Sequence, residues 1–131
     1  MSTARRSVTF DGPFRMHRAG FIESPTLVYE TWGELNAAKD NAVLIFTGLS
    51  PSEHATSSAD DPTPGWWEDM IVSGLTNDTD RYFVICVNSH VSCYGSTLPA
   101  STNPHTAEVY RLTFTELTKE HVSESACLVL K

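Results

Sequence analysis

Two unbroken apolar runs set the tightest limit on how this chain can fold. Ala42-Val43-Leu44-Ile45-Phe46 is bounded by turn residues, and Arg81-Tyr82-Phe83-Val84-Ile85-Cys86-Val87-Asn88 repeats the pattern about forty residues later. A strand that is apolar at every position is covered on both faces, and such strands belong to parallel sheets of α/β folds. Parallel neighbours need a long crossover. The segment Trp66-Trp67-Glu68-Asp69-Met70-Ile71 is read as a helix in that crossover, with Pro64 and Gly65 at its start.

The residues before these runs read as β structure. Residues 1–12 are expected to be a disordered arm. Phe14-Arg15-Met16-His17-Arg18 alternates apolar and polar, and Gly20 marks a turn. Pro25 to Trp32 alternates again, with Leu27 and Tyr29 on one face and Val28 and Glu30 on the other. The two segments predict an antiparallel hairpin. Residues 35–41 form a short turn or helical piece. Two long loops, Thr47 to Pro64 and residues 89–111, follow the carboxyl ends of the two apolar strands. Loops of that length in a compact domain carry function or are disordered, and open α/β sheets bind their ligands at that end.

A length of 131 residues suggests one domain. The formal charge of −7 argues against a nucleic-acid or anionic-membrane partner, which would need clustered basic residues. No apolar run approaches the ~18 residues of a membrane span, so a soluble chain is expected. Cys86, Cys93 and Cys127 are odd in number and widely spaced, with no CxxC and no metal-ligand spacing. They read as free thiols in a reducing cytoplasm. Arg5 and Arg6 are not followed by an apolar stretch, so no secretory signal is expected. The Arg/Ser-rich start could open an organellar transit peptide, although Asp11 ends the acid-free stretch early.

Several side chains could carry chemistry. Gly48-Leu49-Ser50-Pro51-Ser52 follows the first apolar strand and suggests a nucleophile elbow. Pro51 removes that reading: the residue after the nucleophile must offer a backbone N–H, and proline has none. The loop is better suited to supply the second oxyanion donor from Gly48-Leu49, beside the plain reading of a glycine-containing turn. His54 with Asp60 and Asp61 could form a metal site or a base pair, but a solvated loop is the simpler reading. His90 and His105 read as surface loop histidines. Trp66-Trp67 could line an acyl pocket, though packing under a loop is commoner. Cys93 has no basic neighbour in sequence to lower its pKa.

Several segments in order carry a family resemblance. Leu27-Val28-Tyr29-Glu30-Thr31-Trp32-Gly33-Glu34-Leu35-Asn36 resembles the opening of the homoserine/serine O-acyltransferases. Pro64-Gly65-Trp66-Trp67, then Asp78 to Cys86, then Cys93-Tyr94-Gly95-Ser96-Thr97, Pro99-Ala100-Ser101 and Asn103-Pro104 continue the match over about residues 25–118. This resemblance implies the N-terminal part of an α/β-hydrolase sheet, incomplete, spanning residues 13–118. It implies transfer of an acetyl or succinyl group from acyl-CoA, as co-substrate, to the hydroxyl of L-serine or L-homoserine in cysteine or methionine biosynthesis. No bound cofactor and no metal are implied.

By the same resemblance, the Leu49 backbone N–H is the oxyanion donor, and Gly48, Leu49, Ser50 and Pro51 form a substrate-specificity loop. Thr47-Gly48-Leu49-Ser50-Pro51 is similar to the serine O-succinyltransferase branch. The family's Ser-Asp-His triad lies beyond the matched motifs, so no catalytic triad residue is expected here and the chain alone is expected to be inactive. Residues 119–131 read as a divergent tail. The alternative is a non-catalytic interaction or regulatory fragment, forming a homo-oligomer or pairing through an open sheet edge. The apolar faces of Val43, Ile45, Val84 and Cys86 are expected to need cover from helices and strands beyond the matched motifs. Val91 and Leu98 stand where the family has glycine; if those positions take positive φ, a β-branched Val91 is strained by about 1–3 kcal/mol.

Overall fold

The computed structural model describes residues 4–16, 20–48, 50–92 and 94–130. The elements in chain order are β1 (Arg6–Thr9), β2 (Pro13–Arg15), β3 (Phe21–Glu23), β4 (Thr26–Trp32), β5 (Ala42–Phe46), β6 (Phe83–Asn88) and α1 (Lys119–Val129), with single 3₁₀ turns at Glu68–Met70 and Arg111–Thr113. The main sheet has the order β1-β4-β6-β5, and β2 and β3 form a second, two-stranded sheet. The chain divides into two compact units. One is Val28–Asn88 with the residues up to Arg6, and the other is Ser7–Leu27 with the residues from Ser89 onward.

In the first unit the two apolar runs pair as expected. β5 runs parallel to β6, with Leu44 opposite Ile85. β6 also pairs antiparallel with β4, placing Glu30 opposite Cys86 and Trp32 opposite Val84. β6 is therefore covered on both edges, and Val84, Ile85, Cys86 and Val87 are all buried. The core joins Trp32, Ile45, Val84 and Cys86 with Ala55 and Ile71 from the crossover. The strand faces expected to lack cover thus obtain part of it from the chain's own long connection. Each such buried aliphatic side chain contributes about 1.5–3 kcal/mol.

The crossover itself differs from expectation. Instead of a helix over residues 66–71 it makes one 3₁₀ turn at Glu68–Met70. The Glu68 carboxylate accepts hydrogen bonds from the Ser57 and Gly65 N–H groups, each at 2.8 Å. Gly74 then turns the chain at φ +80°. A loop-bound carboxylate and a nearby glycine leave little room for helical propagation, whose first turn is costly to nucleate.

In the second unit the hairpin expectation is corrected. β2 pairs with β3, Phe14 opposite Ile22, and not with residues 25–32, which enter the main sheet. Gly20 sits at φ +76° and its carbonyl accepts the Met16 N–H at 3.0 Å, so the reversal is tighter than the alternation suggested. His17 and Arg18 of the expected strand lie outside the described residues. The supposed disordered arm also contains structure: Arg6–Thr9 is a strand of the main sheet. Thr9 and Thr26 hydroxyls meet at 2.8 Å, and the Phe10 N–H donates to Pro25 O at 3.0 Å. Three of the four residues of β1 are exposed, and an exposed edge strand leaves only a weak apolar signal.

Met16, Ile22 and Tyr110 form this unit's core, with Phe14, Phe114 and Leu117 packed against them. The Tyr110 ring meets Phe114 edge-on at 5.4 Å, and its hydroxyl accepts the Glu23 N–H at 3.2 Å. Residues 119–131, expected as a divergent tail, hold α1. Thr118 caps the helix, and buried His121 accepts the Thr118 N–H on Nδ1 at 2.9 Å. Among the described residues, no helix is long and apolar enough to cross a membrane.

Candidate functional site

The loop after β5 is anchored at almost every step. Thr47 is buried at the strand end. Gly48 stands near Pro51: a Cβ on Gly48 would lie 3.7 Å from the Pro51 ring. Leu49, expected to donate to the oxyanion, lies outside the described residues. Ser50 is exposed and Pro51 half-buried. The Ser52 carbonyl accepts the Trp66 indole N–H at 2.8 Å, and the Ser52 hydroxyl accepts the His54 N–H at 3.3 Å. Trp66 and Trp67 stack at 5.5 Å with their planes 13° apart.

Beyond Ser52 the loop turns inward. Glu53, 2% exposed, pairs with Arg5. His54 Nδ1 lies 2.9 Å from Glu30 Oε2, and His54 Nε2 lies 2.8 Å from the Thr63 carbonyl. Ala55 and Thr56 are buried. Ser57 N–H and hydroxyl and Gly65 N–H all bind the Glu68 carboxylate. The Trp67 N–H donates to Ala55 O at 2.7 Å. Gly65 is required by this closure, because a Cβ there would lie 2.2 Å from the Ala55 carbonyl carbon.

The His54 contacts fix its protonation. A carbonyl only accepts, so Nε2 carries a proton toward Thr63. Nδ1 and the Glu30 oxygen then hold a single proton between them, either as imidazolium with carboxylate or as neutral imidazole with carboxylic acid. Both pKa values lie above their ordinary positions. Burial raises that of Glu30 against the pull of His54, with Glu53 and Asp61 adding to the rise. For His54, burial lowers it, but the Thr63 carbonyl and the Glu30 carboxylate more than offset this. The opposed Cys86 thiol is pushed up to about 12 by burial and by the charges of Glu53 and Glu30, which makes it unreactive.

His54 therefore does not join Asp60 and Asp61 in a base pair or metal site. Asp61 shapes the loop instead, accepting the Thr63 N–H at 3.1 Å. No cluster of metal-ligating side chains occurs among the described residues. Nor is this a solvated loop, since Glu53, Ala55 and Thr56 are buried. The functional partner missed from sequence is Glu30. Its signal was a lone acid in the strand Leu27 to Trp32, where an unpaired charge inside a sheet would be costly.

The second loop belongs to the other unit. His90 is 4% exposed, not a surface residue, and among the described residues neither ring nitrogen meets a partner at full hydrogen-bond geometry. Burial pushes its pKa down to about 4, with the Thr97 backbone working against the shift. Its ring lies 6.3 Å from Phe14. Val91 adopts φ +72°, the strained geometry its place in a glycine position foretold, whereas Leu98 does not share it. Thr97 bonds Thr26 twice: its hydroxyl accepts the Thr26 N–H at 2.8 Å, and its own N–H donates to Thr26 O at 2.9 Å. Cys93 lies outside the described residues, and His105 is exposed.

No family model matches the chain. The chain is 56% identical over 126 residues to a serine O-succinyltransferase of Litchfieldella anticariensis, covering 96% of this chain and 34% of that protein. It is 54% identical over 123 residues to an L-serine/homoserine O-acetyltransferase of Streptomyces lavendulae, covering 94% and 33%. Among solved structures, it superposes on homoserine O-acetyltransferase from Bacillus anthracis with a TM-score of 0.85 at 28% identity, covering 96% and 35%. Esterase E22 gives a TM-score of 0.86 at 31% identity, covering 96% and 36%. The chain thus spans about a third of the length of these relatives.

Proposed function

We propose that this chain, a homologue of part of the serine and homoserine O-acyltransferases with their α/β-hydrolase fold, forms the oxyanion and acceptor side of an acyl-CoA-dependent O-acyltransferase. The supporting observation is the 56% identity with a serine O-succinyltransferase over 126 residues, together with the loop Gly48 to Pro51 at the carboxyl end of parallel strand β5. An acyl group would pass from acetyl- or succinyl-CoA to a serine nucleophile, and then to the hydroxyl of L-serine or L-homoserine. The Leu49 N–H would stabilise the tetrahedral oxyanion of each step. Gly48, Leu49, Ser50 and Pro51 would select the acceptor. The reaction would be cytoplasmic and need no metal.

No nucleophile elbow is found among the 131 residues, so this role needs the remainder of the fold. Loss of an essential nucleophile costs about 10⁶-fold in rate. The test is a chimera in which this chain replaces the matching third of the Litchfieldella enzyme. Assayed with both acyl-CoA donors, it should release CoA and form O-acylserine or O-acylhomoserine, while the 131-residue chain alone should form neither. A folded chimera that releases CoA but makes only free acid would assign hydrolysis instead.

A second reading follows from the sheet order. Among the described residues β5 has a strand neighbour on one side only, and such an edge offers a strand-pairing template. As a non-catalytic fragment the chain would associate through β5, with itself or with a related subunit. Size-exclusion chromatography separates the two, since a clean monomer speaks against edge pairing.

A further inference from the structure

We infer that Glu30 is a positioning residue: through its hydrogen bond to His54 it holds the loop that follows β5 and carries Ser50 and Pro51 in one arrangement. This rests on the proposed role of that loop in choosing the acceptor.

Glu30 lies in β4, where it stands opposite Cys86 of β6 in the sheet. Its side chain is 3% exposed, and its carboxylate meets His54 two residues after Ser52. His54 passes the constraint on by two routes. Its Nε2–H reaches forward to Thr63 O, closing the loop over nine residues, and its backbone N–H reaches back to the Ser52 hydroxyl. Ser52 in turn is held by Trp66. The stretch after Gly48 is therefore tied to the sheet through the Glu30–His54 bond and to the far arm of its own loop through His54–Thr63 and Ser52–Trp66, beside the Ala55–Trp67 and Ser57–Glu68 bonds farther on. His54 has no ring nitrogen left for substrate, so it cannot serve as a base in this arrangement. The pair is a clamp whose bond needs one proton, and either partner can carry it.

The chemistry of the clamp separates two substitutions. A carboxamide at position 30 still donates N–H to Nδ1 of neutral His54, so Glu30→Gln keeps the bond. Glu30→Ala removes it and leaves Nδ1 without its partner. Hydrogen exchange on the full chain reads the loop directly and requires no activity. Glu30→Ala should speed amide exchange over residues 50–63 by about tenfold or more, with β5 and β6 amides little changed, while Glu30→Gln should stay within about threefold of the parent. His54→Ala should match Glu30→Ala. Equal protection in the parent and Glu30→Ala overturns the clamp, as does a Glu30→Gln loop as loose as that of Glu30→Ala.

The positioning role is read in the chimera described above. There Glu30→Ala should raise KM for the amino-acid acceptor by about tenfold with a smaller change in kcat, and Glu30→Gln should restore it. A loosened loop with unaltered acceptor KM overturns the positioning role. A chimera without any acyl transfer overturns the proposed function and leaves the exchange result to decide the clamp. Should Glu30→Ala fail to fold, the comparison of Glu30→Gln with His54→Leu by the same exchange measurement decides it, with protection retained in the first and lost in the second.

Discussion

The Glu30 carboxylate and the His54 imidazole meet at 2.9 Å, and the second ring nitrogen is committed to Thr63 at 2.8 Å. Folding therefore raises both pKa values from the ordinary 4.5 and 6.5. A raised value means that the folded state holds protons the unfolded chain has released. The resulting stabilisation is complete below the unfolded values and disappears as pH rises through the folded ones. The stability advantage of the parent over Glu30→Gln should shrink as pH rises above the ordinary 4.5 and 6.5, measured as urea midpoints. An advantage that grows over this range would show that the pair is not protonated as its geometry demands.

His90 works in the opposite direction. Its pKa falls from 6.5 to about 4 because burial disfavours the imidazolium. The unfolded chain then binds a proton that the folded chain refuses. Stability should decline as pH falls from 6.5 towards 4, by an amount on the order of 2–3 kcal/mol. His90→Gln cannot titrate and should flatten this slope, whatever its effect at neutral pH. Denaturant melts of both proteins at pH 7, 5.5 and 4.5 would check it, and an unchanged slope in the variant would place the acid sensitivity elsewhere.

The strain at Val91 ties sequence to structure in a testable way. A β-branched residue at φ +72° costs about 1–3 kcal/mol. Glycine relieves this but gains freedom in the unfolded chain, which returns about 0.5–1 kcal/mol. Val91→Gly should therefore stabilise the protein by about 0.5–2 kcal/mol, seen as a higher urea midpoint with an unchanged slope. Because the Val91 side chain is largely exposed, little packing is lost. A destabilised variant would mean that the loop gains from the valine side chain more than it loses in backbone strain.

What the sequence made legible followed from periodicity and breadth of burial. β5 and β6 are legible because both are apolar runs between turn residues, and they do pair in parallel; the expected cover on both faces holds for β6, whereas in β5 only Ile45 is buried and Ala42 and Phe46 are exposed. β1 escaped because only one of its four residues is even half-buried. The β2 partner was misplaced because alternation reports a half-buried strand without saying which neighbour it pairs with. The Trp66–Ile71 helix failed because Glu68 is spent on Ser57 and Gly65, a long-range use of a side chain that local propensity cannot register. The long loop does follow β5, but its anchoring through Glu30 joins residues 24 apart, and a lone acid inside a strand signals the need for a partner without naming His54.

Glycines in the crossover separate two physical costs. At Gly65 an added Cβ would lie 2.2 Å from both the Ala55 carbonyl carbon and its oxygen, and φ is not in the left-handed region. At Gly74 the φ is +80° with nothing within 4 Å. Gly74→Ala should thus cost only the backbone term, about 1–2 kcal/mol. Gly65→Ala must move backbone in a closed loop and should cost about 3 kcal/mol or more. Thermal melts of the two variants side by side would decide it, and equal losses would show that the loop yields easily at Ala55.

The Glu68 clasp makes the last prediction. Its carboxylate accepts from the Ser57 hydroxyl and from the Gly65 and Ser57 N–H groups, which hold its pKa at about 2, below the ordinary 4.5. A depressed carboxylate stabilises the fold above its unfolded pKa, and that contribution is lost as pH falls through 4.5 towards 2. Glu68→Gln retains one acceptor oxygen but not the charge, and hydrogen bonds to charged groups are worth more than neutral ones. The substitution should destabilise by about 1–2 kcal/mol at pH 7. The gap should narrow as the parent's carboxylate protonates and the flanking turn at Glu68–Met70 loosens in the parent alone. Hydrogen exchange of the Ser57 and Gly65 amides, followed from pH 7 to pH 3, reads this site separately from His90. Protection of those two amides that is equal in parent and variant at pH 7 would mean that the carboxylate does not hold the crossover closed.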